Sequence, residues 1–189
     1  RKSVSIVTAV KHSLNFLDCS MNSNIPLSLY LHFPWCVKKC PYCDFNSHES
    51  HGAVPEAAYI ESISADLARD LRRYSEANLD RMINSIFRGG GTPSLFSPES
   101  IDTLLTSLKG RLAVSEKTEI TLEANPGTID FKKFSGYHGA GINRLSIGVQ
   151  SFSGKQLSNL GRIHTANEVT EAFFAAREAG FQNINLDLM

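Results

Sequence analysis

Apolar and polar residues alternate along several short stretches of the chain, and this period of two is typical of β-strands with one buried face. The first stretch, Leu27–Phe33, places its leucines and its phenylalanine on one face and Ser28, Tyr30 and His32 on the other. Five such strands are predicted, over residues 27–33, 82–87, 119–124, 144–150 and 182–188. Four of them keep one polar face.

The second predicted strand alternates less well, because Asn84, Ile86 and Arg88 fall on the same face. Between the strands, apolar residues recur at three- and four-residue steps, which predicts amphipathic helices. The predicted helices cover residues 57–74, about 98–112, 131–137, 153–160 and 166–179, and residues 47–55 are predicted to form a polar linker.

Strand–helix alternation repeated five times predicts an α/β fold with a parallel sheet and crossover helices. Parallel strands that are covered on both faces usually consist of continuous apolar runs. The polar face of these strands therefore favours a (β/α) barrel with a wet interior. The pattern alone also allows an open, doubly wound sheet.

Composition narrows the function. The 189 residues suffice for one domain, and 19 basic and 19 acidic residues give a formal net charge of zero, which argues against nucleic acid and anionic lipid as partners.

No apolar run approaches the length of a transmembrane helix, and no signal peptide is recognisable. Clustered cysteines without a signal peptide predict a reducing, cytoplasmic location. We expect residues 1–24 to be a poorly ordered extension, and residues 25–189 to be the first part of a larger core domain.

Three cysteines at CxxxCxxC spacing follow the first strand directly: Cys36, Cys40 and Cys43. Clustered thiolates are soft ligands that suit zinc or iron. Structural zinc takes four ligands, and a cubane iron–sulfur cluster normally takes four cysteines. A cluster held by three cysteines would keep one iron open, and an open position is the mark of a catalytic metal site. The alternative is a zinc site completed by Cys19, His32 or His48.

Other notable residues also follow the ends of predicted strands, where parallel α/β proteins bind ligands. They are Gly90, Gly91, Thr92, Glu123, Gln150 and Asp187. The glycine run lacks the lysine of a phosphate-binding loop and is a weak signal alone. The two carboxylates suit a ribose or an amino group, while Gln150 and Arg162 offer donors. For Arg162, a surface ion pair with Glu168 or a neighbour is the plainer alternative.

The cysteine loop resembles that of the radical S-adenosylmethionine (SAM) superfamily, in which an aromatic residue, here Tyr42, precedes the last cysteine. Residues 27–36 and 43–48, LSLYLHFPWC and CDFNSH, are similar to the oxygen-independent coproporphyrinogen III oxidase group and, within it, to the heme chaperone branch. The similarity covers about residues 25–189. It implies a partial, TIM-like (β/α) barrel of the radical SAM type, truncated after about five strands.

The resemblance also implies cofactors. A [4Fe–4S] cluster would be held by the three cysteines, and S-adenosylmethionine would bind its open iron and yield a 5′-deoxyadenosyl radical on reduction. The residues that match positions lining the S-adenosylmethionine site are Tyr30, Tyr42, Gly90, Gly91, Thr92, Glu123, Gln150, Arg162 and Asp187.

One position separates the two branches. Decarboxylating members of the group carry a further cysteine two residues after the last cluster ligand, and Phe45 occupies that position here. The expected function is therefore that of a heme chaperone, with heme, a recipient hemoprotein and an electron donor as partners. Coproporphyrinogen oxidase and a zinc-stabilised binding module are the alternatives. No histidine is selected as a heme ligand, and no catalytic residue is assigned.

Overall fold

Strands and helices alternate through residues 26–73 and 81–189, the part of the chain that the computed structural model describes. The strands are β1 (Leu27–Phe33), β2 (Trp35–Cys36), β3 (His48–Glu49), β4 (Met82–Gly90), β5 (Ala113–Ala124), β6 (Arg144–Gln150) and β7 (Asn183–Leu188). The helices are α1 (Glu56–Arg73), α2 (Pro98–Lys109), α3 (Phe131–Gly139), α4 (Gly154–Asn159) and α5 (Ala166–Glu178). The predicted order of elements is confirmed. The predicted extension, residues 1–24, lies outside the described residues.

Five strands form one parallel sheet in the order β1-β4-β5-β6-β7. Within this sheet, each strand pairs with the strand of the same sheet that follows it in the chain. The helices pack in sequence too, α1 against α2, α2 against α3, and α3 against α5. A doubly wound sheet would instead reverse its strand order and carry helices on both faces. The single helical layer confirms the partial barrel.

The sheet therefore has two different faces. On the helix-covered face, Leu31 lies beside Arg88, which in turn lies beside Leu122. On the inner face, Tyr30 lies beside Phe87. The hydrophobic core sits between the sheet and the helices, and its buried residues include Leu29, Phe33, Ile63, Ile86, Ile101, Leu105, Leu145, Ile147, Phe134 and Val169.

Local sequence signals fix where several helices begin. The Ser97 hydroxyl accepts a hydrogen bond from the Ser100 amide at the start of α2. At the start of α5, Thr165 and Glu168 form a reciprocal capping box. The Glu56 carboxylate accepts hydrogen bonds from both the amide and the hydroxyl of Ser97, which ties α1 to the start of α2.

None of the helices within residues 26–73 and 81–189 combines the length and apolarity needed to cross a membrane.

Two strands are longer than predicted. β4 continues to Gly90 rather than ending at residue 87, and β5 begins at Ala113 rather than at residue 119. The register is irregular between Ile83 and Ser85 on both sides of β4. In β5 the Thr118 hydroxyl donates to the Ile83 carbonyl at 2.8 Å, which holds the irregular segment in the sheet. Residues 115–118 of β5 are mostly polar and do not alternate, so the pattern of apolar and polar residues did not predict this part of the strand.

The same irregularity explains the poor alternation of β4. It changes the phase of the strand, so that Ile83, Ile86 and Arg88 are all buried. Arg88 is 0% exposed, and none of its three guanidinium nitrogens has a hydrogen-bond partner among the described residues. Burial lowers the pKa of Arg88 to about 9. Arg88 is a charged side chain in an otherwise apolar layer.

The predicted linker also contains regular structure. Residues 48–49 form β3, which pairs in parallel with β2 and brings the end of the cysteine loop back to its start. A two-residue strand is too short to show any alternation, so no sequence pattern predicted it. The pair closes a loop that holds all three clustered cysteines.

Candidate functional site

The predicted site residues meet at one edge of the sheet. Cys36 follows β1, the glycine turn ends β4, and Glu123, Gln150 and Asp187 lie at the ends of β5, β6 and β7. Because all five main strands are parallel, their carboxyl ends share this edge. The structure places these residues along one sheet edge, as the pattern predicted, and their role stays a prediction.

Backbone hydrogen bonds close the cysteine loop at its base. The His48 amide donates to the Pro34 carbonyl at 2.7 Å, and the Ser50 amide donates to the Cys36 carbonyl at 2.8 Å. Within the loop, the Cys43 amide donates to the Cys40 carbonyl at 3.1 Å. All three cysteines are free and half-buried. The loop therefore presents three thiols from one short, well-connected segment.

A single metal ion fits this donor set poorly. Among the described residues, no group of three or more His, Cys, Asp or Glu side chains converges on a position for one ion. Both ring nitrogens of His32 are engaged, Nδ1 with the Tyr30 hydroxyl at 3.1 Å and Nε2 with the Asn46 carbonyl at 2.8 Å. His48 is exposed, and Cys19 lies outside the described residues. A cubane does not need convergence on one point, because each thiolate binds a different iron. The three thiols fit a cluster.

The glycine turn is shaped by its neighbours. Gly90 has φ +111°, a conformation that favours glycine, and its amide donates to Glu123 Oε2 at 3.1 Å. A Cβ at Gly91 would lie 2.5 Å from the Trp35 carbonyl oxygen. The buried Thr92 donates its amide to the same carbonyl at 2.7 Å. These contacts join the turn to the base of the cysteine loop, and they already require glycine without any ligand.

Two carboxylates lie on the inner face, and one of them, that of Glu123, contacts this turn. Burial raises the pKa of Glu123 to about 7, the Gly90 amide partly opposes that rise, and Asp187 adds to it. The Ser146 hydroxyl donates to both carboxylate oxygens of Asp187, at 3.2 and 3.1 Å. The side-chain amide of Asn185 donates through Nδ2 to the same carboxylate at 2.6 Å. Asp187 is thus held in one orientation, while Glu123 is poised to change protonation near neutral pH.

Aromatic side chains frame the same space. Tyr30 stacks on Phe87 with ring centroids 6.2 Å apart, and burial together with the Glu123 charge raises the pKa of Tyr30. Tyr42 is 38% exposed on the cysteine loop. Burial raises the pKa of Tyr42, although the Arg162 guanidinium opposes the rise. Both phenols are protonated at neutral pH and can donate hydrogen bonds.

Arg162 connects the far side of the sheet to the cysteine loop. Its Nη2 donates to the Gly148 carbonyl at 2.6 Å, and its Nη1 lies 3.6 Å from Cys40 Sγ and 3.5 Å from the Tyr42 hydroxyl. Its Nε is buried and has no hydrogen-bond partner among the described residues. The suggested ion pair with Glu168 is wrong, because that carboxylate caps α5 through Thr165. An arginine with a spare buried donor beside the loop suits an anionic ligand.

Gln150 ends β6 in an unusual conformation. Its φ of 66° is the only positive value at a non-glycine position in the described part of the chain. Such strain is found where a side chain is aimed at a particular position. The Met189 amide donates to the Gln150 carbonyl at 3.0 Å, which fixes the end of β6 to the end of β7.

Several residues of the site were not singled out from the sequence. Ser146 and Asn185 orient Asp187, and their alternating positions on the polar faces of β6 and β7 were the available signal. His164 is buried, and its Nε2 lies 3.0 Å from the Val149 carbonyl. Burial lowers the pKa of His164, and the Arg162 charge lowers it further. Nothing in its sequence context separated it from the other histidines.

Comparison with known proteins identifies the family. The sequence pattern of the Radical SAM superfamily matches residues 30–189, well over half of the chain. The heme chaperone HemW of Haemophilus influenzae is 52% identical over 164 residues, which cover 87% of this chain and 43% of that protein. The mitochondrial radical S-adenosyl methionine domain-containing protein 1 of Bos taurus is 37% identical over 162 residues, covering 86% of this chain and 36% of that protein.

A solved structure agrees with these sequence comparisons. Coproporphyrinogen III oxidase (HemN) from Escherichia coli, described as a radical SAM enzyme, superposes with a TM-score of 0.79 and 27% identity, over 89% of this chain and 38% of that one. The chain thus spans less than half the length of the relatives that it matches. On the strength of the matched pattern and the shared fold, the chain belongs to the radical SAM superfamily.

Proposed function

We propose that the protein binds a [4Fe–4S] cluster and S-adenosylmethionine at the carboxyl edge of its sheet and works as a heme chaperone. The observation that carries the proposal is the set of three free, half-buried cysteines beside Arg162 at the edge of a polar-faced parallel sheet. With three protein ligands the cluster would keep one iron open to a small ligand. When bound and reduced, it would supply the electron that cleaves the sulfonium of S-adenosylmethionine.

The inner face provides complementary groups for S-adenosylmethionine. The guanidinium of Arg162 would pair with the methionine carboxylate, using the buried Nε that has no partner among the described residues. The Glu123 carboxylate lies against the glycine turn and would accept a hydrogen bond from the amino group of S-adenosylmethionine. Asp187, held by Ser146 and Asn185, suits the ribose hydroxyls. Tyr30, Tyr42, Gly90, Gly91, Thr92 and Gln150 would line the remaining surface.

Relatives support the chaperone role. Several proteins with 44–52% identity to this chain are named heme chaperone HemW. At the position where decarboxylating members of the group carry a further cysteine, Phe45 is 62% exposed on the loop. A phenyl ring cannot supply a thiol for that reaction. Heme and a recipient hemoprotein are the proposed partners, and an electron donor would reduce the cluster.

Coproporphyrinogen III oxidase activity is the second candidate, because the solved structure with 27% identity and a TM-score of 0.79 has that activity in its name.

The free cysteines suit a reducing compartment, and we propose the cytoplasm as the site of action.

A single preparation separates the two candidates. The full-length protein, reconstituted anaerobically, would be given reductant, S-adenosylmethionine and coproporphyrinogen III, and in parallel titrated with hemin. We expect no decarboxylated product and a saturable change in the heme absorbance. Decarboxylated tetrapyrrole from a protein with an intact cluster would overturn the chaperone proposal in favour of the oxidase.

A further inference from the structure

The segment that leaves the cysteine loop is fixed in an unusual way. The Lys39 ammonium donates to the Phe45 carbonyl at 3.0 Å and to the Ser47 carbonyl at 2.9 Å. The carbonyl between them, that of Asn46, lies 2.8 Å from Nε2 of His32 on β1. Three consecutive carbonyls are therefore held by side chains rather than by a neighbouring strand. We call Lys39 with the carbonyls of Phe45 and Ser47 the loop clasp.

We propose that Lys39 is a positioning residue, and that the loop clasp holds Cys40 and Cys43 in the geometry that retains the iron–sulfur cluster. The inference rests on the proposed cluster, and it names a residue that touches none of the three thiols. Lys39 precedes Cys40 directly, and its two acceptors follow Cys43 by two and four residues. The clasp thus spans the Cys40–Cys43 turn from outside.

The clasp is connected to the thiol side of the loop. Ser47 is 1% exposed, and its hydroxyl lies 3.7 Å from Cys43 Sγ. Its amide donates to the Phe45 carbonyl at 2.7 Å, so that carbonyl accepts from two donors. Releasing the ammonium would remove one of the two side chains that hold residues 45–47 and leave only the His32 contact. Ser47, which contacts Cys43 Sγ, would then be held less firmly.

A charged donor suits this task. Hydrogen bonds from an ammonium to carbonyls are stronger than bonds between neutral groups. The chain offers a matched control in Lys38, which is exposed and makes no hydrogen bond to the described residues. Replacing either lysine removes the same charge from the loop, but only Lys39 belongs to the clasp.

The test is the rate at which the reconstituted, full-length protein loses its cluster in air, followed by the visible absorbance and by iron content. We expect Lys39→Met to lose the cluster about tenfold faster than the wild type, since two charge-assisted hydrogen bonds are removed. Lys38→Met should decay at the wild-type rate. Lys39→Arg, which keeps a cation able to reach both carbonyls, should restore most of the lifetime.

Other outcomes are distinguishable. Equal decay of Lys39→Met and wild type, or equal acceleration by Lys38→Met and Lys39→Met, would overturn the clasp and leave only loop charge. The melting temperature of the cluster-free protein should not change in Lys39→Met, and a clear drop would contradict a role confined to the loop. A wild-type protein that binds no cluster at all would instead refute the proposed function.

Discussion

The two faces of the five-stranded sheet differ in whether their polar side chains have hydrogen-bond partners. On the inner face, Asp187 has hydrogen-bond donors in Ser146 and Asn185, and Glu123 has the Gly90 amide. On the helix-covered face, Arg88 has no hydrogen-bond partner among the described residues, although it is fully buried. A polar group with oriented partners is ready to bind a ligand, whereas a buried charge without partners only lowers stability. Chemistry and stability are thus separated between the faces.

The largest expected effects come from removing one cysteine of the loop and, separately, one core side chain of the helix-covered face. Cys40→Ala should reduce iron and sulfide to background while the helical content measured by circular dichroism stays unchanged. Leu122→Ala, on the helix-covered face, should retain the cluster but lower the free energy of unfolding by about 2–5 kcal/mol, because it leaves a cavity in the core. Both are measured on the full-length protein, by metal analysis and urea unfolding.

Cys19→Ala is the matched cysteine control and should retain the cluster. A cluster that persists in Cys40→Ala would remove Cys40 from the ligand set. Loss of the cluster in Leu122→Ala would show that the two faces are not separable.

Replacing Arg88 should have the next largest effect. Arg88→Leu should raise the free energy of unfolding by about 1–4 kcal/mol, since it exchanges a desolvated charge for a packed side chain. Arg144→Leu is the inner-face control, because Arg144 Nη1 donates to the Thr121 hydroxyl at 3.2 Å. That variant should be neutral or slightly destabilised. Destabilisation by Arg88→Leu would mean that the guanidinium has a partner in the full protein.

The pH dependence sharpens the same test. Burial lowers the pKa of folded Arg88 to about 9 from an ordinary value of 12.5, so the unfolded chain binds the proton more tightly. Wild-type stability should therefore gain a rising contribution above pH 9, which Arg88→Leu lacks. Urea unfolding of both proteins between pH 8 and about 10.5 measures the difference.

Glu123 should change the pH dependence of the free energy of unfolding less than Arg88 does, and in the opposite direction. Its pKa is raised to about 7 from 4.5, so the folded protein binds the proton more tightly than the unfolded chain. Its contribution to stability should fall as the pH rises from 4.5 to 7, by less than about 3 kcal/mol. Glu123→Gln should flatten this part of the curve. Glu119→Gln, an exposed carboxylate on the same strand, is the control, and a flattened curve there would contradict the assignment to Glu123.

The sequence predicted the inner face better than the helix-covered one. Alternation places Tyr30 and Asp187 on polar faces, and parallel strands bring their carboxyl ends together, so the edge that holds the site followed from pattern. Alternation placed Arg88 on the face of Ile86, and both are buried. The pattern could not show the irregular register at residues 83–85, which buries Ile83 and leaves Asn84 exposed.

The loop contacts were also beyond a sequence pattern. The bonds from Lys39 to residues 45 and 47 span six and eight positions in an irregular segment, where no periodicity applies. Likewise, the contact of Arg162 with Cys40 joins residues 122 positions apart. Only the packing of the loop after α4 against the cysteine loop creates it, through the close approach of Gly161 to Pro41.

In the function proposed above, three thiolates hold a cluster with one open iron beside the polar face. The most direct measurement is the electron paramagnetic resonance spectrum of the reduced, reconstituted full-length protein before and after addition of S-adenosylmethionine. We expect a [4Fe–4S] signal that changes when S-adenosylmethionine is added, and a weaker response in Arg162→Ala. A cluster signal unaffected by S-adenosylmethionine, or zinc in place of iron and sulfide, would contradict it.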